Sequence, residues 1–214
     1  MGLVSIPSPG VPLEYGSPGQ PLVIVVHDWY GRLPWLEAYG SALAHQGFHV
    51  RVPDLYNGWA TTDDEDATEL LGKLDLIRAV NVIGTLARSG RAEGAPRVGV
   101  VGFSLGGWLA LSQAKSGSID AVVAYYATLA DAEHSVVPCP VQLHFADEDE
   151  WEATGDPDSF VERLREDATT VERYLYSGTS HSFANATLPE KVDRNAAALA
   201  FARTVTFLEK QLAD

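Results

Sequence analysis

Residues 21–27, PLVIVVH, and residues 97–103, RVGVVGF, are continuous apolar runs with none of the polar alternation of a half-exposed strand. Such a strand is stable only with both faces covered, the condition met in a helix-covered parallel sheet. The segments around them follow the same logic. A helix is expected over 34–48, with Pro34 near its start and Gly47 near its end, and a strand over 49–56. The polar, acidic stretch 57–69 reads as a loop leading into a helix over 70–90. That helix would bury Leu70, Leu74, Ile77 and Asn81 on one stripe and stop at Gly90. After 97–103 come a helix over 105–117, strands over 119–127, 140–146 and 170–176, and a helix from Pro157 to Ala168 between the last two strands. A long C-terminal helix is predicted from a capping box at Thr187 and Glu190, burying Ala198, Phe201, Val205, Leu208 and Leu212. The first twenty residues, rich in Pro and Gly, hold at most short irregular strands.

Strand and helix thus alternate along the whole length, without internal repeat or linker. The pattern predicts an α/β fold with a doubly wound, mostly parallel sheet, as one domain over 1–214. In such sheets ligands meet the carboxyl ends of the strands, here the loops after His27, Asp54, Phe103, Ala146 and Tyr176. A formal net charge of −14 argues against nucleic acid and anionic membranes as partners, because a phosphate surface would repel it. Cys139 is the single cysteine, so no disulfide forms within the chain. With no secretory signal in the first residues and no apolar run of membrane-spanning length, a cytoplasmic monomer or homodimer is expected.

Ser104 lies in Gly102-Phe103-Ser104-Leu105-Gly106, a G-x-S-x-G turn between a predicted strand and a predicted helix. That context exposes a serine hydroxyl at a helix N-terminus, where an adjacent base activates it as a nucleophile. His181, in the loop after the last strand, is the candidate base. The other five histidines, His27, His45, His49, His134 and His144, lie within or beside regular elements and show no metal-ligand spacing, so neither metal nor cofactor is expected. An acid that orients the imidazole should follow the 140–146 strand, where Asp147, Glu148, Asp149 and Glu150 all qualify by position. The order serine, acid, histidine is that of α/β hydrolases. Two backbone N–H groups must face the developing oxyanion, and topology points to Leu105 and to Trp29 in the loop after the first core strand.

At these residues the chain resembles the dienelactone hydrolase family, a compact branch of the α/β hydrolases without a cap domain. The likeness runs from about residue 20 to the end, through HDWYG, VPDLY, GFSLGG, HFADEDE, GTSHSFAN and ALAFARTVTFL in that order. The resemblance implies that the acid ends a G-x-x-D pattern, matched by Ala146 to Asp149, which selects Asp149. It also exposes departures. The founding enzymes carry cysteine where this chain has Ser104, and a glutamate, partner of the resting thiol, where this chain has Asp28. They hold a substrate carboxylate with two arginines, at positions where this chain reads Asn57-Gly58 and Asn185. Losing that clamp removes several kcal/mol of binding, on the order of two charge-assisted pairs. Only an arginine brought near Ser104 by the fold, such as Arg32 or Arg78, would restore it.

The expectation is therefore a serine esterase acting on a small to medium neutral ester or lactone. Asp28, Tyr30, Trp59 and Asn185 are candidate pocket residues, and for Trp108 core packing is the equal alternative. Thioester or amide hydrolysis and acyl transfer use the same machinery. A non-catalytic ligand-binding protein on the same fold would instead leave His181 out of reach of Ser104.

Overall fold

The computed structural model describes residues 2–150 and 156–213. The two apolar runs form β3 (Leu22–Val26) and β6 (Val98–Phe103), parallel neighbours at the centre of a seven-stranded sheet. With β2 (Leu13–Tyr15), β4 (His49–Val52), β7 (Ala121–Tyr125), β8 (Val141–Glu148) and β9 (Val171–Ser180), the order is β2-β4-β3-β6-β7-β8-β9. All neighbours are parallel except β2, which closes the edge antiparallel to β4. A separate ribbon pairs β1 (Val4–Ser5) with β5 (Trp59–Ala60). The mostly parallel sheet with helices on both faces is the expected fold class.

Both faces of β3 are covered, which explains its lack of alternation. Val23 and Val25 join one core with α1 (Trp35–Ala44) and α6 (Arg194–Leu212). Leu22, Ile24 and Val26 join the other, with α3 (Leu76–Ala92), α4 (Leu105–Ala114) and α5 (Pro157–Glu166). Each such side chain contributes roughly 1.5–3 kcal/mol by leaving water.

Three expectations need correction. The acidic run is no loop: Asp63 caps α2 (Asp64–Gly72) by accepting from Glu65 and Asp66 N–H, and the acids of the first turn suit the positive end of the helix. The single helix over 70–90 is two, because Asp75 accepts from Arg78 N–H at 3.0 Å and starts α3 afresh. Ile77 and Asn81 are accordingly exposed, and α3 buries Ala79, Ile83, Gly84, Ala87 and Gly90. Gly90 is an interior contact rather than a stop, since a Cβ there would run into Leu22. At the C-terminus the cap is Asp193, which receives Asn195 and Ala196 N–H, so α6 buries Ala200, Thr204, Phe207, Leu208 and Leu212 while Ala198 is exposed.

Arg32 fixes the N-terminal segment against this frame. Its buried guanidinium donates to the carbonyls of Pro7 at 2.6 Å, Val11 at 2.7 Å, Ser8 at 3.3 Å and Val52 at 3.4 Å. Arg32→Met keeps the apolar stem and strips these carbonyls of their donor. The expected loss is about 2–4 kcal/mol in urea unfolding, with faster proteolysis confined to residues before β2. An unchanged midpoint would contradict the clamp.

Candidate active site

Ser104 stands between β6 and α4 with φ 50° and ψ −115°, outside the regions an L-residue ordinarily adopts. The turn holds because glycines let backbone meet backbone. A Cβ on Gly102 would collide with the Gly106 carbonyl, and one on Gly106 with the carbonyls of Val26 and His27 at the end of β3. Ser104 N–H donates to Tyr125 O at 2.9 Å and its carbonyl accepts from Trp108 N–H at 3.0 Å. A serine at a helix N-cap usually bonds its own helix. Here the hydroxyl makes no such bond and reaches His181 Nε2 at 2.7 Å.

His181 follows β9, in a turn where Ser182 adopts φ 70°. Its Nδ1 lies 2.8 and 2.9 Å from the two oxygens of Asp149, the first residue past β8. A carboxylate only accepts, so Nδ1 carries the proton and Nε2 offers its lone pair to the serine hydroxyl. The Asp149 side chain is 3% exposed and that of His181 15%, a nearly dry relay with one wet end. Of the other acids in the run, Asp147 accepts from Gly178 N–H at 3.3 Å and, like Glu148 and Glu150, is exposed. The Tyr126 ring covers His181 at 4.8 Å between centroids.

The loop after β3 closes the other side. Asp28 is wholly buried; its carboxylate accepts from Tyr30 N–H at 3.0 Å and from Asn185 Nδ2 at 2.8 Å. Burial pushes its pKa up to about 6, against the pull of the Asn185 and Tyr30 bonds and of His181 and Lys191. His27 donates from Nδ1 to Asp28 O at 2.6 Å and accepts Leu55 N–H at Nε2 at 3.1 Å. Burial lowers its pKa to about 4, so it stays neutral and locks this loop to the one after β4. The close approach at Gly106 brings the first turn of α4, and Leu105 with it, against the segment leading to Trp29.

The remaining expected pocket residues have other surroundings. Tyr30 is fully buried, its hydroxyl 2.5 Å from both Asp64 and Lys191 Nζ, so it braces the loop instead of lining an opening. Asn185 is likewise buried, behind Asp28. Trp59 is 47% exposed and lines a separate cleft together with Arg78, and Trp108 donates to Glu133 at 2.9 Å. The Asp28–Asn185 bond joins residues 157 positions apart, and nothing in either local sequence announced it. Glu14, His49 and Glu93 converge as metal ligands might, but Arg51 lies among them, 2.8 Å from Glu14 and 2.5 Å from Glu93, and is their cation.

The dienelactone hydrolase family model matches residues 13–212. The chain belongs to that family. It is accordingly a carboxylic-ester hydrolase. Among curated relatives, the protein usf of Aquifex pyrophilus is 28% identical, over 93% of this chain and 90% of the relative. Carboxymethylenebutenolidase 1 of Cupriavidus pinatubonensis is 27% identical, over 88% of this chain and 85% of the relative. A solved dienelactone hydrolase-like promiscuous phosphotriesterase from metagenomic libraries shares the fold with a TM-score of 0.79 at 15% identity, over 99% of each chain. No helix among the described residues of this family member is long and apolar enough to cross a membrane.

Asp28 makes stability depend on pH with a definite sign. Its folded pKa lies above that of an unfolded aspartate, so its contribution is intact below about pH 4 and is lost as pH rises through about 6. Relative to Asp28→Asn, the wild type should therefore lose up to about 3 kcal/mol between pH 4 and pH 7. Urea midpoints at stepped pH measure this, and a difference that stays flat across the range refutes it.

Proposed function

We propose that this chain hydrolyses carboxylic esters or lactones through an acyl-enzyme, with Ser104 as nucleophile. The observation that carries the reading is the unbroken relay from Ser104 Oγ to His181 Nε2 at 2.7 Å and from His181 Nδ1 to Asp149 at 2.8 Å. As Ser104 Oγ bonds to the ester carbonyl carbon, its proton passes to His181 Nε2. Asp149 holds the ring in the required tautomer and offsets the charge of the imidazolium. The carbonyl oxygen, now anionic, turns toward the backbone N–H groups of Leu105 and Trp29, each worth about 3 kcal/mol of transition-state stabilisation in comparable sites. The tetrahedral intermediate collapses, the C–O bond to the alcohol breaks, and His181 returns its proton to the leaving oxygen. Water then repeats the sequence on the acyl-enzyme and frees the acid. For a lactone the leaving alcohol stays tethered to the acyl group.

Asp28 and Asn185 act as positioning residues in this scheme. Their bond ties the loop carrying Trp29 to the loop carrying His181, so oxyanion donor and base keep one spacing. This commits Asn185 and leaves it no freedom to bind substrate. Gly58 has φ 96° and a Cβ there would lie 2.8 Å from Pro9, so that turn admits no long side chain without strain. Arg32 is taken up by carbonyls. The favoured substrate is a neutral ester or lactone, in contrast to the anionic lactones that two arginines would select.

The test is a fluorophosphonate probe on wild type and Ser104→Ala, with steady-state rates on p-nitrophenyl butyrate. Wild type should label and show a burst of one p-nitrophenolate per site. S104A should not label and should lose about 10⁴-fold or more in kcat, with Asp149→Asn losing about 10⁴-fold. Equal labelling of both proteins, or a burst that survives in S104A, would sink the assignment.

A further inference from the structure

A second cleft opens beside the catalytic loops, bounded by α2, α3, the residues after β4 and the N-terminal segment. Its volume of about 690 Å³ lies in the range of small-molecule sites, and Ser104, Asp149 and His181 are not among its lining residues. Leu55, Tyr56, Trp59, Leu70 and Leu74 give it apolar walls. At the rim Trp59 is 47% and Leu3 40% exposed, large apolar surfaces that stay in water unless something covers them.

The charges around this cleft are unequal in what they leave available. Asp54 is saturated by backbone, accepting from Tyr56, Gly10 and Gly58 N–H at 3.1, 2.8 and 2.5 Å. Asp75 caps α3, and Lys73 is paired with Glu69 at 2.6 Å. Among the described residues Arg78 has neither a carboxylate partner nor a side-chain hydrogen bond, in a chain with 29 acidic residues against 15 basic ones. An unpaired guanidinium beside aromatic and aliphatic walls matches an anion with an apolar body. One such cation matches one carboxylate.

We propose that this cleft is a distinct binding site for a small apolar monocarboxylate, whose acid group pairs with Arg78 while its apolar body covers Trp59 and Leu74. An apolar cation would have to compete for Asp54 with three backbone N–H groups and for Asp75 with the cap of α3. A neutral apolar molecule would fill the walls and leave Arg78 unused. The cleft is separate from the serine centre yet adjoins it: the Tyr56 ring lies 5.0 Å from that of His27, the residue before Asp28.

Isothermal titration with 2-naphthylacetate and its neutral analogue 2-naphthylmethanol tests this on wild type, Arg78→Gln and Trp59→Ala, each first checked for an unchanged melting temperature. Wild type should bind the acid more tightly than the alcohol. R78Q should weaken the acid roughly five- to tenfold and leave the alcohol unaltered, as expected for loss of one charge-assisted pair. W59A should weaken both, and added salt should weaken the acid alone. Enzyme phosphonylated at Ser104 should bind the acid as wild type does. Equal affinity of R78Q and wild type for the acid, or loss of acid binding on phosphonylation, would overturn the proposal. Failure of Ser104 to label would count against the serine mechanism alone, and the Arg78 comparison would still decide the cleft.

Discussion

Where the first turn of α4 meets the ends of β3 and β6, no side chain intervenes. Gly106 lies against the carbonyls of Val26 and His27, and Gly102 against the carbonyl of Gly106 itself. This contact forces Ser104 into its unusual backbone conformation, because strand and helix join over a single residue. It also sets the distance between the helix N-terminus and the loop after β3. A methyl group at either glycine would part the elements by more than a hydrogen bond tolerates. The strain at Ser104 is held by the buried sheet on both sides, as sites of this kind require.

Around that contact the site is built from buried polar groups with assigned partners. His27 is kept neutral, so it can donate to Asp28 O and accept from Leu55 without carrying charge into the core. Asp28 has only neutral donors directly on its carboxylate, Asn185 Nδ2 and Tyr30 N–H, and the charged groups His181 and Lys191 act on it through space. Neutral donors offset burial only in part, which is why its pKa comes to rest near 6. The arrangement is costly in stability and precise in geometry, a combination common where two loops must hold fixed positions.

The legible part of the sequence was what depends on local chemistry repeated along an element. β3 and β6 were recognisable because doubly buried strands have no polar face, and the elbow because only glycine permits the backbone contact at 102 and 106. The order of Ser104, acid and His181 follows from topology. Selecting Asp149 needed the family resemblance, since four acids share one loop and only the turn after β8 decides which faces the imidazole. α3 was misread because, Ile83 apart, its buried face is Ala79, Gly84, Ala87 and Gly90, residues whose value is closeness and not hydrophobicity. The α2–α3 break and the true start of α6 rest on single aspartates, Asp75 and Asp193, indistinguishable by type from their solvated neighbours. Asp28 with Asn185 and Tyr30 with Asp64 and Lys191 are long-range pairs, and no local pattern encodes them.

The same electrostatics distinguish the surroundings of Ser104 from the cleft lined by Arg78. Near Ser104 two carboxylates, Asp28 and Asp149, already address one histidine, and burial amplifies the repulsion that a third anion would meet. On the proposed serine mechanism, a neutral acyl group suits that environment better than an anionic one. Arg78, without an acidic partner among the described residues, lines the cleft that also holds Tyr56, whose ring meets that of His27.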